Sequence, residues 1–231
     1  MKSPGKLYIV ATPIGNLKDI TLRAVEILGN VDAVVCEEMR TGSTLLKRLG
    51  ITVHELLTLN EHNEKAEAEA LLIRLAQGQD LALISDCGTP VFSDPGALLI
   101  ELVSSAGFQV VPIPGVSSLT TVLSILDFKP EKFTFAGFLP RSESERSIEL
   151  SRLRGLGTAI ILMDTPYRLA RLLDETIKVF GKGQRATLAC DLTTPEERIF
   201  RGSLLEIQQQ VGTRKAEFML VIHPVSTHQT R

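Results

Sequence analysis

The segment Ser85-Asp-Cys-Gly-Thr-Pro-Val-Phe-Ser-Asp-Pro-Gly96 gathers two acids, two glycines, two prolines and three hydroxyl side chains within twelve residues. Such a composition makes poor core, and its rigidity is useful where it holds a ligand, with Asp86 and Asp94 as carboxylates able to take a proton. Its plainer reading is a turn rich in Asp caps, in which Asp94-Pro95 opens a helix over Ala97 to Ser105. A second stretch, Ala11-Thr-Pro-Ile-Gly-Asn-Leu-Lys-Asp-Ile-Thr21, combines Pro13, which fixes φ, with Gly15, which permits a tight return. Backbone groups there can face a ligand, although an ordinary strand-to-helix turn has the same composition. Glu37-Glu-Met-Arg40 is either a third ligand-facing turn or an exposed acidic turn with an internal ion pair. His62, between Asn60 and Asn63, is a general base by residue type and a solvated first-turn histidine by setting.

Several chemistries are excluded. The first loop is not GxGxxG, which removes the best support for dinucleotide binding, and no HExxH, GxxxxGK[ST] or Ser/His/Asp order occurs. Cys36, Cys87 and Cys190 are odd in number and form no CxxC pair, so neither a disulfide scaffold nor a zinc site is expected.

These loops need a frame. Leu7 to Ala11, Ala33 to Cys36, Leu81 to Ser85 and Gln109 to Ile113 are short apolar runs rich in Val and Ile, separated by helix-like stretches, which predicts an α/β region with much parallel sheet. In open parallel sheets ligands bind beyond the carboxyl ends of the strands, where the loops above should lie. Thr21 should cap a helix ending before Gly29, and Asn60 one over Glu61 to Ala76 closed by Gly78. Leu71, Leu72 and Leu75 form the buried stripe of that second helix, leaving Glu64, Glu67 and Glu69 for water. Pro114-Gly-Val-Ser-Ser118 is a turn before a helix-like run over Leu119 to Leu126. Strands over Phe133 to Phe138 and Thr158 to Met163 then alternate with helices over Ser142 to Arg154 and Tyr167 to Phe180, the last with a Thr165 cap and an N1 proline. Arg185 to Ala189, Arg198 to Arg201 and Glu217 to Ile222 complete a set with antiparallel opportunities. A domain boundary falls near 114 to 130.

The chain of 231 residues is 44% hydrophobic and 23% charged, which suits globular rather than disordered protein. Its apolar runs fall short of the roughly 20 residues a membrane-spanning helix needs, and the N-terminus carries no secretory pattern; a cytoplasmic location is expected. The first 115 residues hold 9 Lys and Arg against 14 Asp and Glu, the remainder 16 against 13. An anionic polymer would prefer the second half, unless this is ordinary solvated surface charge.

Leu7-Tyr-Ile-Val-Ala-Thr-Pro-Ile-Gly-Asn-Leu-Lys-Asp-Ile-Thr-Leu-Arg23, Asn60-Glu-His-Asn-Glu64, Ser85-Asp-Cys-Gly-Thr-Pro90, Ser93-Asp-Pro-Gly96, Val111-Pro-Ile-Pro-Gly115 and Gly137-Phe-Leu-Pro-Arg141 are spread over nearly the whole chain. Together they resemble the tetrapyrrole-methylase-like, or class III, methyltransferases that use S-adenosylmethionine. Within that group the chain is most similar to the ribosomal RNA small-subunit methyltransferase I family, whose members methylate a ribose 2'-hydroxyl of a decoding-site cytidine in 16S RNA.

The resemblance implies an α/β class III fold of two domains, 1–115 and 116–231, the first with a mostly parallel sheet and the second with a mixed one, flanked by helices. It also implies S-adenosylmethionine in the cleft between them and a homodimer acting on 16S rRNA or the small ribosomal subunit, with no metal and no membrane. By motif, cofactor contacts fall to Pro13, Ile14, Gly88, Thr89, Val91, Ser117 and Ser118, and from the second domain to Met163, Ala189, Cys190 and Glu217. Asp86 and Asp94 are the candidates for the proton acceptor, and Arg40 and Arg141 for fork-shaped contacts to RNA phosphate.

The chain departs from the family in places. The RNA branch typically reads Glu-Asp-Thr-Arg at Glu37-Glu-Met-Arg40, Pro-Gly-Pro-Ser at Pro114-Gly-Val-Ser117, Tyr-Glu-Ser-Pro-His-Arg at Met163-Asp-Thr-Pro-Tyr-Arg168, and Arg-Glu-Leu-Thr-Lys at Cys190-Asp-Leu-Thr-Thr194. The chain also stops before the C-terminal extension those enzymes usually carry. Cofactor binding survives such changes more easily than the RNA substrate does. A tetrapyrrole or other small acceptor, and a cofactor-binding protein without catalysis, are the alternatives.

Overall fold

A computed structural model describes residues 3–91 and 94–224, so Phe92 and Ser93 of the acidic loop lie outside the described residues. The chain forms two compact units, the first ending at Ser117 and the second beginning at Ser118.

In the first unit the strands are β1 (Leu7–Val10), β2 (Ala33–Cys36), β3 (Leu56–Thr58), β4 (Leu81–Ile84) and β5 (Val110–Ile113). They pair in the order β3-β2-β4-β1-β5, every pair parallel. The helices between them are α1 (Leu22–Asn30), α2 (Met39–Arg48), α3 (Glu64–Ala76) and α4 (Ala97–Ser105). Side-chain alternation splits each strand between two cores. Leu7, Val35, Leu81 and Leu83 meet Leu71, Leu75, Leu99 and Val103 of α3 and α4 on one face. Val10, Val34, Cys36 and Ile84 meet Leu28 and Leu46 of α1 and α2 on the other. Burial on both faces explains why these strands read as unbroken apolar runs.

The second unit contains α5 (Ser118–Ser124), β6 (Phe133–Gly137), α6 (Glu143–Arg154), β7 (Ala159–Asp164), α7 (Leu169–Phe180), β8 (Arg185–Cys190), β9 (Arg198–Ser203), α8 (Leu204–Val211) and β10 (Phe218–Ile222). Its sheet runs β6-β7-β10-β8-β9, with β6 and β7 parallel and the remaining pairs antiparallel. One face of that sheet carries Leu162, Leu188, Cys190 and Leu220 into a core with Leu150, Leu173 and Ile207 of α6, α7 and α8.

Element ends differ from expectation for local reasons. Thr21 caps α1 by accepting from the Ala24 amide at 3.1 Å, but the helix runs through Gly29 to Asn30. Asn30 donates its side-chain amide back to the Glu26 carbonyl at 2.7 Å, so no glycine stop is needed. Asn60 does not cap α3. Its side chain accepts from the His62 and Asn63 amides, at 3.0 and 3.2 Å, and forms a separate turn that delays the helix to Glu64. Glu64 is not left to water either: it accepts from the Gly96 amide at 2.8 Å and anchors the start of α4. Thr165 makes no side-chain cap; a 3-10 turn over Pro166–Arg168 comes before α7. Helices α2 and α8 and the short strand β3 go beyond the elements expected above, although Ser203-Leu-Leu-Glu206 forms a capping box that opens α8.

Candidate functional site

Because the first sheet is parallel, the loops leaving β1, β2, β4 and β5 begin at one edge. The β1 and β4 loops are tied together there. The buried Thr12 donates its amide to the Gly88 carbonyl at 2.8 Å, and its hydroxyl lies 3.1 Å from the Ser85 carbonyl and 3.2 Å from that of Gly88. The Ser85 hydroxyl receives the Cys87 amide at 3.1 Å and reaches the Gly88 carbonyl at 3.2 Å. The β5 loop joins through Thr89, whose hydroxyl donates to the Val116 carbonyl at 3.2 Å.

Gly88 has φ +85, and a Cβ there would sit 3.2 Å from Ile14 Cγ2, so this turn admits only glycine without strain. Val91 has φ +72, a costly conformation for a β-branched residue and a sign that the loop is held by its surroundings. Pro13, Ile14, Gly88, Thr89 and Val91 thus all belong to one knot of loops, with Ser117 just beyond Val116.

Beside this knot lies a pocket of about 350 Å³ lined by Glu37, Glu38, Asn60, Glu61, His62 and Asp86. Partial burial raises the carboxyl pKa of Glu37, Asp86 and Asp94, and their mutual repulsion adds to it. Glu37 feels Asp94, Asp86 and Glu61; Asp86 feels Glu38; Asp94 feels Asp86. The Glu38 amide and Thr41 hydroxyl offset part of this at Asp86, as the Ser85 hydroxyl does at Asp94. The pocket is therefore strongly negative, suited to a cation and supplied with carboxylates that accept a proton more readily than an exposed one.

Cys36 is unsuited to thiol chemistry: burial, reinforced by Asp86 and Glu38, pushes its thiol up to about 11. Among the described residues, no group of His, Cys, Asp and Glu is arranged to hold a metal ion.

Of the residues singled out by sequence, Asp86 lines the pocket and Asp94 interacts electrostatically with it, while Arg40 is exposed in the first turn of α2. The sequence leaves Glu37 and Glu38 as either a ligand-facing or a solvated turn and His62 as either a general base or a solvated histidine, and all three line the pocket; it gives Asn60 and Glu61 no role in a site. The signal for Glu37 and Glu38 was position alone, an acidic pair directly after a strand of this sheet. The signal for Asn60 and Glu61 was missed because β3, which delivers Asn60 to Asn63 to the same edge, is only three residues long.

In the second unit Met163 of β7 and Ala189 of β8 both pair with Met219 of β10, so their side chains share one sheet face. Cys190 points to the other face, into the core, and burial pushes its thiol up to about 11. Only its backbone is available to a ligand on the Met163 face. Glu217 precedes β10, and partial burial together with Asp191 raises its pKa. Arg141 is exposed in the loop after β6, and Ser118 opens α5.

A family model described as Tetrapyrrole (Corrin/Porphyrin) Methylases matches residues 6–208. The chain is 40% identical over 226 residues to the Ribosomal RNA small subunit methyltransferase I of Xylella fastidiosa strain Temecula1, covering 96% of this chain and 82% of that one. It is 38% identical over 224 residues to the protein of the same name from Escherichia coli O157:H7, covering 95% and 78%. Among solved structures, diphthine synthase aligns with TM-score 0.75 at 16% identity over 95% of this chain and 90% of its own. The uroporphyrin-III C-methyl transferase from Thermus thermophilus, complexed with S-adenyl homocysteine, aligns with TM-score 0.66 at 17% identity over 95% and 97%. These structural likenesses concern the fold.

Proposed function

The chain belongs to the tetrapyrrole (corrin/porphyrin) methylase family and is a methyltransferase; from that premise we propose that it moves a methyl group from S-adenosylmethionine to a ribose 2'-hydroxyl of 16S ribosomal RNA. The observation that carries the reading is the convergence of Glu37, Glu38, Glu61 and Asp86 on one pocket beside the Thr12–Gly88 knot.

The residues present suit such a donor. Gly88, without a Cβ, and the apolar side chains of Ile14 and Val91 supply the backbone and apolar surface that an adenosine needs. The neighbouring carboxylates balance a sulfonium charge. When bound, the donor supplies an electrophilic methyl group for in-line displacement. Pro13, Ile14, Gly88, Thr89, Val91 and Ser117 of the first unit would hold it, and so would Ser118, Met163, Ala189, the Cys190 backbone and Glu217 of the second. Their work is orientation, from which much of the acceleration of such a transfer comes.

The acceptor hydroxyl must lose a proton. Asp86 or Asp94 takes it, directly or through water, and the raised pKa of each makes it a better base than an exposed aspartate. Arg40 and Arg141 hold RNA phosphate. The names of the relatives support ribosomal RNA as the acceptor. The working form is a cytoplasmic homodimer.

Incubation with methyl-labelled S-adenosylmethionine and small ribosomal subunits lacking the modification tests this. The expected product is label in a 2'-O-methylated nucleoside after digestion. No label in competent subunits, or label in a porphyrinogen macrocycle instead, refutes the RNA acceptor.

A further inference from the structure

One edge of the second sheet carries exposed aromatic side chains and a lysine to which the methyl-transfer reading gives no role, beside the phosphate-binding candidate Arg141. The parallel strands β6 and β7 are neighbours, so the loops that follow them leave the same edge, and β10, antiparallel to β7, begins there. Phe138 follows β6 and remains 49% exposed; Tyr167 follows β7 and remains 79% exposed. Lys215, just before β10, lies with its ammonium 4.9 Å from the centre of the Tyr167 ring. Large aromatic surfaces left in water are costly, and these two flank a shared edge.

The loops are rigid by construction. At the end of β6 the pairing register shifts between Phe135 and Gly137, and Gly137 takes φ +60. Such a bulge re-aims the next side chain, here Phe138. The Pro140 carbonyl accepts from Arg146 at 2.7 Å and from Arg168 at 3.3 Å, and the Arg141 carbonyl accepts from Arg146 at 2.8 Å. Arg146 is itself buried and fixed by a two-pronged contact to Glu175. Arg168 pairs with the buried Asp164 at 3.3 Å. The same arginines therefore tie the β6 loop to α6 and to the β7 loop.

Charge and shape agree on the occupant. Lys215 lies over the ring of Tyr167, which is largely exposed all the same, while Arg141 is exposed on the Phe138 loop. Aromatic faces interleaved with cations on a sheet edge match unpaired RNA, whose bases stack on the rings while its phosphates meet the cations. Duplex RNA, with its bases stacked internally, gains nothing from the rings.

We propose that Phe138 and Tyr167, with Arg141 and Lys215, form a docking platform on which unpaired nucleotides of the RNA substrate stack. This rests on the RNA reading above but concerns binding, not methyl transfer. The test is fluorescence anisotropy of the full chain with a labelled single-stranded RNA of about 12 nucleotides, a length within the span of known stacking sites.

Tyr167→Ala and Phe138→Ala should each weaken binding about 5- to 100-fold, Tyr167→Phe should restore most of it, and Arg141→Ala should lower the salt slope by about one. Unchanged melting midpoints in these surface variants check that they fold. Equal binding by wild type and both alanine variants overturns the platform, as does the absence of binding by wild type. Labelling of ribosomal subunits with no aromatic dependence of oligonucleotide binding removes the platform alone. Tyr167-dependent oligonucleotide binding with no labelling removes the methyl-acceptor reading alone.

Discussion

Asp86 and Asp94 differ from surface aspartates because partial burial and neighbouring carboxylates make the charged form harder to keep. If Asp86 is the proton acceptor, Asp86→Asn should slow single-turnover methyl transfer by about 10²–10⁴-fold while leaving S-adenosylhomocysteine affinity nearly unchanged by calorimetry. In wild type the rate should fall as pH drops through a carboxyl pKa above the ordinary 3.8, and the variant should lose that limb. A variant with the wild-type rate and profile shifts the role to Asp94. Gly88→Ala forces an L-residue to φ +85 against Ile14, at a cost of about 1–2 kcal/mol by chemical denaturation, and should weaken cofactor binding as the loop moves. Asp86, Asp94 and Gly88 were legible in the sequence because hydroxyls, acids and glycines crowd one loop. Glu37 and His62 were legible only as one of two readings each and Glu61 not at all, since acidic turns and lone histidines have nothing in their local pattern that separates a pocket wall from a solvated surface.

Strands were the most legible elements, because burial on both faces of a parallel sheet writes itself as continuous Val and Ile runs. Helix ends were less so: α1 ignores Gly29 and α3 waits for Glu64, because side-chain amides of Asn30, Asn60 and Asn63 complete the backbone bonding in ways no single residue announces. Strand β3 is too short for its three residues to show a period, whereas α2 is amphipathic but hidden by the polar run Arg40-Thr-Gly-Ser-Thr44, and α8 was announced only by the capping box of Ser203 and Glu206.

At this scale the main energetic feature is the Arg146–Glu175 pair, which joins α6 to α7 and holds the loop after β6. The Arg146 guanidinium, and then Arg171, lower the Glu175 carboxyl to about 2 from an ordinary 4.5. A depressed folded-state pKa stabilises fully above about pH 4.5, and that contribution is lost as pH falls toward 2. Glu175→Ala should cost about 3–5 kcal/mol at neutral pH, because it leaves a buried guanidinium unpaired. Urea midpoints should show the deficit shrinking between pH 4.5 and 2; a deficit independent of pH would show that packing, not charge, is what the mutation removes.

On the scale of the molecule, two units of different sheet type divide the chain at Ser117, and the charge balance differs between its halves. The parallel unit bears the acidic pocket; the mixed unit bears Met163 and Ala189 on one face and the exposed aromatic edge beyond them. The alternation of strands and helices in the sequence conveyed the fold class, while the antiparallel placing of β10 between β7 and β8 is a non-local pairing that no local pattern encodes. In the proposed function both units would hold the same donor molecule. A crystal structure with S-adenosylhomocysteine tests this most directly. The predicted result is one ligand in contact with Ile14 and Thr89 of the first unit and with Ala189 of the second, its sulfur directed toward the pocket of Glu37 and Asp86. A ligand held by one unit alone, or seated away from the Gly88 loop, contradicts it.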